Sequence, residues 1–148
     1  MKKQLYWLPS ILWMAMIFIL SHQPGTQSSQ LSGGITEVIA AWVPFSIENL
    51  HTLETFIRKN AHFFAYFILG IFILFAIRQG NILTRQKLLI SWILTTVYAA
   101  SDEFHQLFIP GRSGEVRDVL IDSVGAATGL ILFSIVYYWR KSKNRGSV

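Results

Sequence analysis

The chain has 148 residues, enough for one domain, of which 52% are hydrophobic and only 14% charged; its mean hydropathy is +0.42. Soluble domains carry about 25% charged residues, so this composition points to the lipid bilayer as the chain's surroundings. The absence of cysteine excludes disulfides, thiolate catalysis and cysteine-held metals, and the net charge of +5 comes with no phosphate loop, RNA-binding motif or helix-turn-helix pattern, which excludes nucleic acid as a partner.

The first apolar run is Leu5 to Leu20, preceded by Lys2 and Lys3. It has the basic start and apolar core of a signal peptide but is followed by Ser21-His22-Gln23-Pro24, without a small-x-small cleavage site, so a retained first span is predicted. SHQPGTQSSQLSGG reads as turn and loop. Ile35 to Val43 suggests a short helix ended by Pro44, and after Ser46, a plausible N-cap, Ile47, Leu50, Leu53, Phe56 and Ile57 recur at helical spacing. That pattern predicts an amphipathic segment on the outer bilayer surface between spans one and two.

Span two is predicted over 61–77. Span three begins at Leu88 and stays apolar only to Ala100. Crossing a bilayer takes about 20 residues, so this helix is expected to run through the polar residues to about Ile109, where Pro110 stops it. Span four is predicted over 118–139, with Tyr137 and Trp139 suited to a membrane interface. The expected fold is a single all-α domain over 1–148, a polytopic protein of four transmembrane helices.

Lys2, Lys3, Arg78, Arg85, Lys87, Arg140, Lys141, Lys143 and Arg145 all fall on one side if the spans alternate. The positive-inside rule makes that side cytoplasmic, which puts both termini inside and residues 101–118 outside. All eight acidic residues lie in the other half.

Ionisable groups within spanning helices are costly unless paired or facing a wet cavity. Span two opens with Arg58, Lys59, His62 and Tyr66, of which the last three share a helical face; span three closes with Asp102, Glu103, His105 and Gln106; span four opens with Asp118 and Asp122. Arg112 and Arg117 lie in the connection between them. All should converge in the outer mouth of the bundle. Two readings stay open: a ligand or substrate site, or ion pairs in which Arg58, Lys59, Arg112 and Arg117 neutralise the carboxylates and fix helix register. His22 and His51 read as loop or surface histidines, and Gly125 and Gly129 as a helix-packing contact. No metal-ligand pattern or cofactor motif appears; His62, His105, Asp102 and Asp118 make a metal site only if they converge.

Four stretches resemble the VanZ-like family of small bacterial membrane proteins, over nearly the whole chain. They are Ser21, Gln23, Pro24 and Ser28-Ser29 after span one; RKNAHFFAYFILG at 58–70; SDEFHQLFIPGRSGEVRD from Ser101; and DVLIDSVGAATG at 118–129. By position, the resemblance makes Lys59, His62, Tyr66, Glu103, Gln106, Arg112, Asp118 and Asp122 family motif residues. Ala65 stands where many relatives carry glutamate, and Asp122 where others carry asparagine. The resemblance implies a protein of the bacterial cytoplasmic membrane that alters surface access of a teicoplanin-like glycopeptide, by binding it or a lipid-linked wall precursor. The alternatives are an enzyme modifying a lipid headgroup or wall-precursor phosphate, with Arg112 and Arg117 holding phosphate and Glu103 or His105 as acid/base, or a small transporter.

Overall fold

The computed structural model describes residues 4–40, 47–78 and 83–145. A 3-10 turn, Gln4–Trp7, leads into α1 (Leu8–Ser21); α2 (Gly25–Ala40), α3 (Ile47–Arg78), α4 (Arg85–Gln106) and α5 (Val116–Arg145) follow, and among the described residues there is no strand. Three helical segments are long and apolar enough to cross a membrane: Gln4–Ser21, Thr52–Arg78 and Val116–Asn144. The fourth expected span, α4, is not among them. Its 22 residues begin with Arg85 and Lys87 and end with Asp102 and Glu103, which lowers the mean apolarity of any long window.

Three expectations are corrected. The loop expected after Ser21 is largely α2, because docking outweighs the weak helix propensity of its Gly and Ser residues. Gly25 N–H, one of the orphan donors of that helix start, bonds Pro110 O at 3.0 Å, so the 107–111 turn seats the helix. Second, the surface segment and span two are one continuous helix of 32 residues, about 48 Å long; Ser46 and Pro44 lie outside the described residues. Third, α4 ends at Gln106 rather than Ile109. Three-residue backbone bonds from Leu107, Phe108 and Ile109 tighten the chain into turns before Pro110 is reached.

The bundle is held by α3 against α5. A Cβ on Gly125 would stand 2.3 Å from Phe63 O, and one on Gly129 2.5 Å from Phe67 O, so the two glycines admit the α3 backbone, as their spacing predicts. α1 is tied by Trp13 Nε1–H to Ala65 O (2.9 Å) and by Tyr98 O–H to Met14 O (2.7 Å). At one end of the bundle Arg78 lies over the Tyr137 ring, 4.9 Å from its centroid, and Tyr138 O–H donates to Leu83 O at 3.3 Å. At the opposite end Ser21, Asp102 and Tyr66 meet.

α4 is inside-out by the standard of a water-soluble helix, which buries its apolar stripe. Its buried positions are Ser91, Thr95, Ala99, Asp102, Glu103 and Gln106, whereas Leu89, Ile90, Trp92, Ile93, Leu94 and Val97 are exposed.

Candidate functional site

At the end of the bundle opposite Arg78, α1, α3, α4 and α5 and the 107–115 connection bring polar groups together. The α4 spacing of three and four turns Asp102 and Gln106 inward together, with Glu103 beside them. Asp102 is 3% exposed, and its Oδ2 accepts from Ser21 O–H of α1 (2.8 Å), Tyr66 O–H of α3 (3.1 Å) and Gln106 Nε2–H (3.4 Å). Gln106 Nε2 also donates to Glu103 Oε1 at 3.3 Å, and Glu103 Oε2 accepts the Glu115 backbone N–H at 3.0 Å. One carboxylate thus joins three helices, and the next closes the connection onto α4.

Arg112 works on the same network from outside. Its guanidinium donates to Leu20 O (2.9 Å), Gln23 O (3.1 Å) and Gln106 Oε1 (3.4 Å), which ties the end of α1 to the connection. None of these acceptors is a carboxylate. Burial, and then the neighbouring Arg58 guanidinium, lower the pKa of Arg112 from its ordinary value. Arg58 itself, half-buried on α3, has no hydrogen bond or ion pair among the described residues. Gly111 takes φ +74°, a left-handed turn suited to glycine, and that turn presents Arg112 to α1.

Lys59 makes a short ion pair with Asp118 and a longer one, 3.8 Å, with Glu115. Here the helix-clamp reading fits. His62 is different: its Nδ1 lies 3.6 Å from Asp122 Oδ2, ion-pair distance but beyond hydrogen-bond length, and Asp122, fully buried, makes no hydrogen bond among the described residues. Asp102 Oδ1 is likewise unpartnered. Ligand atoms of His62, Asp102 and Glu103 lie within 4.8 Å of one another, so these three, rather than a set with His105 and Asp118, are placed to hold a metal.

His105 leaves the cluster altogether. Its Nε2 meets His22 Nδ1 at 3.1 Å, and its ring stacks on Phe18 with centroids 4.8 Å apart; His22 is exposed just past the end of α1, as expected of a loop or surface histidine. His51 falls outside the described side chains. Arg117 is exposed at the rim. Arg58 lies at the cluster, as its place beside Lys59 predicts; Ser21 and Glu115 are not among the residues expected at the site, and the proximity of Ser21 to Gln23-Pro24 and of Glu115 to Arg117 and Asp118 is the available signal.

Two cavities meet at this cluster. A polar chamber of about 290 Å³ is walled by Lys59, Gln106, Glu115, Arg117 and Asp118, among others. A mainly apolar cleft of about 190 Å³ runs between α1, α2 and α3, past Met16, Ile17, Leu20, Ile35 and Ile57. Ser28, Arg58, His62 and Arg112 line both.

Long helices with apolar outer faces, closed at one end over a cluster of ionisable groups, define a multi-pass membrane protein. The VanZ/LLP1 family profile matches residues 6–137, and the chain belongs to that family. No curated protein and no solved structure matches it.

Proposed function

We propose that this VanZ-type protein spans the bacterial cytoplasmic membrane four times and uses an outward-facing site to bind an anionic amphiphile of the envelope. That amphiphile is a lipid-linked wall precursor or a lipoglycopeptide of the teicoplanin type, whose access to the cell surface the protein alters. The observation that carries the reading is the shared wall: a polar chamber and an apolar cleft meet at Arg58 and Arg112, two cations without a carboxylate partner among the described residues. A molecule with an acidic head and a hydrocarbon tail fits that pairing, the guanidinium forks taking phosphate or carboxylate. The inverted face pattern of α4 supports a fourth span, since its apolar outer residues suit lipid and its polar inner ones suit the bundle. The basic residues at the Arg78 end support a cytoplasmic placement of that end.

The test is lipid extraction and mass spectrometry of protein purified in mild detergent, beside the Arg58→Gln variant. Enrichment of a phosphate-bearing polyprenyl or glycerol lipid over the bulk membrane, lost in the variant, is the expected result. A co-purified lipid profile identical to bulk membrane in both proteins defeats the reading. Turnover of the head group would register in the same assay as a dephosphorylated or modified product, which favours the enzyme.

A further inference from the structure

We propose that His62, Asp102 and Glu103 hold a divalent transition-metal ion at the base of the outer chamber. Their ligand atoms already lie within 4.8 Å of one another, from two different helices. A tetrahedral ion with ligands at about 2.1 Å holds them roughly 3.4 Å apart, so a contraction of at most about 1.4 Å, within reach of side-chain rotation, brings the three ligands to that spacing.

The second observation is the set of buried polar atoms that the protein leaves without partners. Asp122 is 0% exposed and its Oδ2 faces His62 Nδ1 at 3.6 Å, longer than a hydrogen bond, while Asp122 Oδ1 and Asp102 Oδ1 have no hydrogen-bond partner among the described residues. Buried polar atoms are ordinarily satisfied, and such exceptions point to an absent ion or water. Three buried carboxylates, Asp102, Glu103 and Asp122, surround one imidazole, whereas Lys59 is already engaged by Asp118 and Glu115 and Arg112 by carbonyls. A cation inside this ring balances the charge.

Asp102 Oδ2 is fixed by Ser21, Tyr66 and Gln106, and Glu103 by Gln106 and the Glu115 N–H, as the ligating carboxylates of metal sites are held. His62 lines the polar chamber, which supplies an entry path. One imidazole with carboxylate oxygens suits Mn²⁺ or Zn²⁺.

Arg58 takes no part in this ligand set, so the metal and the amphiphile stand or fall separately. The experiment measures metal content of the full-length protein purified without chelator, then the melting temperature of EDTA-treated protein titrated with Mn²⁺ and with Zn²⁺. About one equivalent of metal per chain, and a melting temperature rising with the logarithm of ion concentration, are expected. Asp102→Asn is the decisive variant. Its amide oxygen can keep the bonds from Ser21, Tyr66 and Gln106, while the NH₂ replaces the unpartnered Oδ1. It should melt no lower than the metal-free wild type and lose the ion-dependent rise. His62→Gln should lose the rise as well. Absence of stoichiometric metal together with a flat titration of the wild type overturns the proposal without recourse to any variant. So does a rise that persists undiminished in Asp102→Asn, which would place the ion elsewhere.

Discussion

The Arg58–Arg112 pair separates scaffold from binding at the level of single side chains. Arg112 fastens three acceptors, on α1, on α4 and in the turn between α1 and α2, so Arg112→Lys keeps the charge but loses the planar fork. Hydrogen bonds to charged donors contribute about 1.5–3 kcal/mol each when well made; with Arg112 half exposed, a loss of about 1–2 kcal/mol is the expected outcome, read as a lower melting temperature in detergent. Arg58→Gln breaks no bond among the described residues and should leave stability within about 0.5 kcal/mol of wild type. An equal drop in both variants would mean that Arg58 is structural. The sequence made most of this cluster legible, because Lys59, His62, Asp102, Glu103, Asp118 and Asp122 cannot face lipid and must find one another. It could not assign partners. Whether His105 meets His62 or His22 depends on which side of α4 the first helix crosses, and no spacing within α4 encodes that choice.

Helix existence is likewise readable where apolar runs are long, and unreadable where tertiary contact overrules propensity. Residues 25–34 are rich in Gly, Ser and Gln, a composition that favours loops; they are helical where the 107–111 turn caps and supports them. Arg58, Lys59 and Asn60 separate the surface segment from span two in the sequence, yet α3 runs straight through them, and Lys59 turns inward to Asp118. Glycines test the same distinction. A methyl group at Gly125 collides with the α3 backbone, which is not a flexible side-chain end that could swing aside. Gly125→Ala should therefore cost about 1–3 kcal/mol, the usual penalty of overpacking. Gly33, inside α2, has nothing within 4 Å of the point where a methyl group would stand, so Gly33→Ala should stabilise by about 0.5–1 kcal/mol through helix propensity alone. Thermal melts of the two proteins check both signs. A Gly125→Ala protein that melts like wild type would show that α3 and α5 are not packed backbone to backbone.

Across the described residues the long helices turn apolar faces outward and Asp102, Glu103 and Asp122 inward, which is the arrangement lipid selects and water does not. The exposed residues of α1, α4 and α5 include Ile11, Leu12, Ile19, Leu89, Ile93, Val97, Ile131 and Ile135. Such a band leaves one global question, which end of the bundle faces the cytoplasm; the positive-inside rule, applied to the basic residues, predicts the Arg78 end. Single cysteines report the answer cleanly because the native chain has none. Gln86→Cys and Ser113→Cys stand at positions near opposite ends of α4. In intact cells a membrane-impermeant maleimide should label Ser113→Cys, and should label Gln86→Cys only after the membrane is permeabilised. The reverse pattern inverts the protein and moves the polar chamber to the cytoplasmic face, away from any glycopeptide. Labelling of both positions in intact cells means that α4 does not cross, leaving three spans; the connection carrying Arg112 would then share a face with Arg85 and Lys87.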